Sequence, residues 1–179
     1  DVINTAEKIF QAERIAEINA SYLEKHQVGI DRSIGASGAQ KLPIAPDESF
    51  PEWAQTQANV LHHELGMNAR SAFWCVRRYG NAVLEIIEIL RVRPELSEQI
   101  APSSPFTLVE AVYSAQAEMV HHLFDLLRRR MPLVLLLPPD REIATRVATL
   151  VAPILGWDSA QTKQQINEVM ERWRMPDGF

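Results

Sequence analysis

Three features of the sequence predict an all-α fold. Apolar residues recur at helical spacing, most cleanly at Val83, Ile86, Ile87 and Leu90. Capping residues stand where such stripes begin, and glycine or proline stands where they end. No stretch of useful length alternates apolar with polar residues as a half-buried strand does, and no segment repeats. The expected architecture is an irregular bundle of about six to seven helices, with an N-terminal helix and an extended arm.

The elements follow in chain order. Ile9, Ile15, Ile18 and Tyr22 mark a helix over Asn4 to Lys25, with Gly29 beyond its end. Residues 27–51 carry Gly29, Gly35, Gly38, Pro43, Pro46 and Pro51 without periodicity. A structureless loop of that length is unusual in a free-standing domain, so residues 1–51 are expected to be a helix and connector arm that packs on something else. Residues 52–179 are expected to form the helical domain proper. A helix from Trp53 to Leu65 ends at Gly66, and Asn68 caps another through Trp74 to Arg78. The stripe over Asn81–Val92 is closed by Pro94. Thr107 and Glu110 have the spacing of a capping box, in which hydroxyl and carboxylate satisfy each other's backbone amides. The helix they open is expected to run to Arg130, with Val109, Val112, Met119, Leu123 and Leu126 on one face. Ile143, Val147, Leu150, Val151 and Ile154 form the next stripe, ended by Gly156. Asp158 with Gln161 caps the last helix, whose buried face is Ile166, Val169, Met170 and Trp173. The four tryptophans, Trp53, Trp74, Trp157 and Trp173, lie on separate elements and are expected to anchor packing.

Composition narrows the function. Hydrophobic residues make up 46% of the 179 residues and charged residues 23%, as in an ordinary soluble domain. The net charge of -5 argues against nucleic acid as a partner, which needs a positive surface. No apolar run approaches the roughly 20 residues that span a bilayer. The most apolar stretch, Met131–Leu137, is expected to be a buried connector. Cys75 is the single cysteine, which excludes a disulfide framework and points to a reducing, cytoplasmic compartment. Because the chain starts at Asp1 rather than methionine, it is expected to be a piece of a longer protein.

No motif for dinucleotide, phosphate-loop, nucleophile-elbow or zinc-protease chemistry occurs. No catalytic, cofactor-binding or metal-binding residue is therefore expected. His62 and His63 are neighbours on a helix, and their side chains diverge too far to share a metal. Glu118, His121, His122 and Asp125 fall within two turns, and Glu118-x-x-His121 matches half of a di-metal carboxylate bundle. Such a site needs the unit twice, and it occurs once. Arg128, Arg129 and Arg130 suit either an anion or the negative end of a helix dipole, and Arg129 is placed to pair with Asp125.

From Arg77 to Arg172, short pieces appear in a telling order: Arg78-Tyr79-Gly80, Glu110 to Tyr113, Glu118-Met119, Asp125 to Arg130, and Leu155-Gly156-Trp157-Asp158. In order and spacing the chain resembles the C-terminal domain of FAD-dependent glycerol-3-phosphate dehydrogenases and the related α-glycerophosphate oxidases. Leu42-Pro43 resembles the connector that enters that domain. Gln116-Ala117 and Met131-Pro132 depart from the family pattern. The resemblance implies a parent enzyme whose flavin domain oxidises sn-glycerol 3-phosphate to dihydroxyacetone phosphate, with FAD bound outside this chain. It implies a non-catalytic cap that docks on that flavin domain, and leaves open self-association and peripheral attachment of the parent to the cytoplasmic face of a membrane. The matched positions then read as structural or interaction residues. Gly80 and Gly156 make tight connections, Tyr79 and Trp157 pack, and Glu118, Asp125, Arg129 and Arg130 make polar ties, with Glu110 and Tyr113 as further structural or interaction candidates. The rival readings are a free-standing helical regulatory or scaffold module and, further off, a di-metal helical bundle.

Overall fold

The computed structural model describes residues 49–102 and 104–173. The expected helix over Asn4–Lys25 and the arm as far as residue 48 lie outside them. The described residues are helical and contain no strand, only a single antiparallel bridge between Gln99 and Thr107.

Helix α1 spans Phe50–Asn59, with Pro51 in its first turn, where a missing N–H costs nothing. It widens into a π-helical turn over Val60–Glu64, and Trp53, Ala54, Ala58 and Leu61 form its buried face. Gly66, at φ +73°, closes it. Asn68 begins α2, Ala69–Tyr79, by accepting from the amides of Arg70 at 3.0 Å and Ser71 at 3.4 Å. Gly80 takes φ 51° and ψ -135°, a region that side-chain-bearing residues avoid, and turns the chain through Gly80–Ala82 into α3, Val83–Val92. All four residues of the expected α3 stripe are buried. A turn of 3₁₀ helix at Pro94–Ser97 follows.

Helix α4, Leu108–Ala117, is the centre of the bundle, with every residue from Leu108 to Ala115 buried. It packs most extensively against α7, Arg141–Leu155, which in turn lies along α8, Ser159–Arg172.

Two expectations fail between them. The helix from Thr107 does not run to Arg130. It stops at Ala117, Met119 adopts φ 51°, and a new helix starts after His122. This second piece is α5, Leu123–Asp125, which widens into a π-helical turn over Leu126–Arg130. No proline or glycine marks the break; distant side chains hold it. The Arg130 guanidinium donates to the Glu118 carbonyl at 2.9 Å, and the Leu123 amide donates to the Gln165 side chain at 2.9 Å. These bonds satisfy backbone groups that the interrupted helix leaves bare. Met119, expected on the inner face, is 82% exposed, and Val120 is buried instead.

The second failure is the connector. Met131 and Leu133 are fully buried, but Leu135 and Leu136, on the short helix α6, Leu133–Leu136, are each 59% exposed. A single helical turn cannot turn four successive apolar side chains inward at once.

Helix α7 starts on Asp140, whose carboxylate accepts from the amides of Glu142 and Ile143, and it runs through Pro153. Gly156 ends it in the left-handed region at φ 70°. The Asp158–Gln161 capping box then forms in both directions, at 3.0 and 2.7 Å. Trp173 closes the bundle at 2% exposure, its indole N–H donating to the Leu137 carbonyl at 3.0 Å.

Candidate functional site

The densest polar arrangement lies where α2 meets the start of α4. Thr107 is extended at the N-cap and Glu110 stands three residues on, so the capping box forms. Because α4 is buried all round, this box is formed inside the core rather than at the surface. Glu110 is completely buried. One of its carboxylate oxygens, Oε2, accepts from the Thr107 amide at 2.8 Å and from the Thr107 hydroxyl at 2.9 Å. The other, Oε1, accepts from Arg78 through Nε at 3.0 Å and also through Nη2. Arg78 comes from the last turn of α2, and its guanidinium lies over the Phe106 ring, 4.3 Å from the centroid.

Burial pushes the Glu110 carboxyl above its ordinary value, against the pull of Arg78 and Thr107. The same burial, helped by the Glu110 charge, raises the Cys75 thiol well above its ordinary value and the Tyr79 phenol with it. Tyr79 meets Tyr113 edge to face, with centroids 5.3 Å apart and planes at 81°. The Tyr113 phenol is also raised, by burial and then by Glu85 and Glu118. Every one of these groups is held in its uncharged or fully bonded form. A general base needs a free lone pair within reach of a substrate proton, and both oxygens of Glu110 are occupied. The cluster ties two helices together.

The remaining singled-out residues fall into two other places. Glu118, Asp125, Arg129 and Arg130 surround the elbow between α4 and α5. Arg129 pairs with Asp125 at 3.3 Å, the expected i,i+4 contact, while Arg130 reaches back to the Glu118 carbonyl. The elbow also separates Glu118 from His121, so the pair does not share one helical face as a di-metal unit requires. Among the described residues no group of three or more His, Cys, Asp or Glu could hold a metal. His62 bonds to the Met67 carbonyl through Nδ1 at 2.8 Å, and its ring lies 4.5 Å from that of His63. Gly156 and Trp157 form the turn between α7 and α8. Trp157 is half-buried and lines an open cleft there.

Of the four expected anchors, Trp53 and Trp173 are buried, but Trp74 is 44% exposed. It stands edge to face with Phe73, and the Arg77 guanidinium lies over the Phe73 ring, 3.5 Å from its centroid. Sequence reasoning did not pair Arg78 with Glu110. The available signal was a lone carboxylate in an otherwise apolar helix, which demands a cation from elsewhere. No helix among the described residues is long and apolar enough to cross a membrane.

Comparison with known proteins adds to this geometry. Residues 33–162 match the family described as the C-terminal domain of alpha-glycerophosphate oxidase. Glycerol-3-phosphate dehydrogenase 2 of Mycobacterium tuberculosis is 34% identical over 96 residues, covering 53% of this chain and 16% of that protein. A glycerol-3-phosphate dehydrogenase of a Synechocystis species is 28% identical over 139 residues, covering 75% of this chain and 25% of that protein. The Mycobacterium leprae glycerol-3-phosphate dehydrogenase is 34% identical over 91 residues, 50% of this chain and 15% of that protein. The chain thus spans a quarter or less of the length of these relatives. No solved structure matches.

Proposed function

The chain belongs to the family of the C-terminal domain of alpha-glycerophosphate oxidase, and from that premise we propose that it is the non-catalytic helical cap of an FAD-dependent glycerol-3-phosphate dehydrogenase. The parent enzyme oxidises sn-glycerol 3-phosphate to dihydroxyacetone phosphate and passes the electrons to quinone or oxygen. Residues 52–179 are the cap, and residues 1–51 are the helix and arm that lead to it from the flavin domain. The parent works in the cytoplasm or on the cytoplasmic face of a membrane.

One observation carries this reading beyond the family relationship. The completely buried carboxylate, Glu110, spends all its accepting capacity on Arg78 and Thr107, which suits a structural tie and not proton transfer. The described residues do not fit a flavin dinucleotide either. That group needs a glycine-rich turn between a strand and a helix N-terminus, and there is no strand among them. FAD, in this reading, is bound by the flavin domain of the parent. In this reading Tyr79, Gly80, Tyr113, Gly156 and Trp157 shape the cap, and Glu118, Asp125, Arg129 and Arg130 fix its elbow.

The test is to express the chain alone and supply glycerol 3-phosphate with a dye acceptor. The expected preparation is colourless, helical and inactive. Turnover by a yellow, flavin-bearing preparation overturns the proposal.

A further inference from the structure

We propose that the cleft between α7 and α8 binds a small amphiphilic anion, an aromatic or aliphatic body carrying one carboxylate, sulfonate or phosphate. The cleft arises from the turn at Gly156. It folds α8 back along α7 so that a row of mostly small side chains on one helix faces a similar row on the other, and the seam between them stays unfilled. Its volume of about 580 Å³ lies in the range of small-molecule sites. Ala152, Pro153, Trp157 and Ile166 give it an apolar wall with one aromatic face.

Charge selects the sign of the ligand. The lining contains Arg141 and Lys163 and no carboxylate, in a chain of net charge -5. Arg141 is held across the helix pair by a bond from Nη2 to the Asn167 side chain at 3.1 Å, which leaves its other donors for a ligand. Lys163 has no ion-pair partner among the described residues. Lys163 also borders a neighbouring furrow that Glu168 and Glu171 line, where Glu168 is committed to Arg172 at 3.1 Å. Asp158, beside the turn, is occupied in capping the Gln161 amide. An anion with an apolar body would therefore meet two cations along a cleft whose lining also includes Trp157. This site stands independently of whether the chain caps a dehydrogenase.

The test uses the whole chain and 8-anilinonaphthalene-1-sulfonate, an aromatic sulfonate whose emission rises in an apolar site. Saturable one-to-one binding is expected, with energy transfer from tryptophan that falls in Trp157→Phe. Decanoate should displace the probe, and decanol at the same concentration should not. The double variant Arg141→Gln/Lys163→Glu changes two exposed side chains, and circular dichroism checks its fold. It should weaken binding by about tenfold or more. Displacement by decanol as effective as that by decanoate, or affinity unchanged in the double variant, overturns the proposal. So does loss of binding in Leu135→Ser/Leu136→Ser, which would place the probe on the exposed leucines instead.

Discussion

Replacing Glu110 by glutamine would keep the shape of the side chain and strand the Arg78 guanidinium against an apolar wall. Breaking one side of a buried pair costs about 3–5 kcal/mol. The lower part of that range is expected, because the Arg78 side chain keeps 23% of its exposure to water. Urea unfolding of Glu110→Gln, Arg78→Met and the double variant should show strong non-additivity, the double costing less than the sum. Additive effects would mean that the pair does not couple α2 to α4. Cys75 lies beside this cluster with no exposed surface and a raised thiol pKa. Reaction needs the thiolate, so a thiol reagent at pH 8 should label the native chain far more slowly than the urea-unfolded chain. Rapid labelling of the native chain would contradict the burial.

At the scale of elements, the instructive place is the elbow at Glu118–His122. Met119 pays for a left-handed backbone with no burial in return, since its side chain is almost fully exposed. Met119→Gly removes strain of roughly 1–2 kcal/mol and adds chain entropy of roughly 0.5–1 kcal/mol. It should leave thermal stability unchanged or slightly raised, and a clear drop in Tm would show that the elbow is not strained there. Gln165→Leu takes away the acceptor that satisfies the Leu123 amide and the donor that meets His122. A buried amide left without a partner costs about 1–3 kcal/mol, which equilibrium unfolding would detect. Gly156→Ala should cost about 1–2 kcal/mol from backbone conformation alone, because the added methyl meets no atom within 4 Å beyond its chain neighbours. Elements with their own punctuation were legible in advance. Asn68, Thr107 with Glu110, and Asp158 with Gln161 each cap the helix they were expected to cap. The elbow was not legible, because residues 118–122 contain no breaker and the groups that hold the break open, Arg130 and Gln165, lie 12 and 42 residues from the groups they satisfy.

At the scale of the molecule, one apolar core runs through all the described helices, with α4 at its centre. Its surface keeps apolar side chains that the core does not use, chiefly Phe73 and Trp74 on α2 and Leu135 and Leu136 on α6. Since these leucines are more than half exposed, Leu135→Ser/Leu136→Ser should change the free energy of unfolding by less than about 1 kcal/mol. A larger loss would place them in the core after all.

Periodicity and capping chemistry are local, repeating every few residues, so the chain's own order of side chains determined that it is helical and where most helices start and stop. The pairing of Arg78 with Glu110, the break after Ala117 and the exposure of Leu135 and Leu136 were decided only by tertiary structure. Each depends on which distant group arrives to satisfy a buried charge, an open backbone amide or an apolar face, and that cannot be read from residues that are neighbours only in sequence.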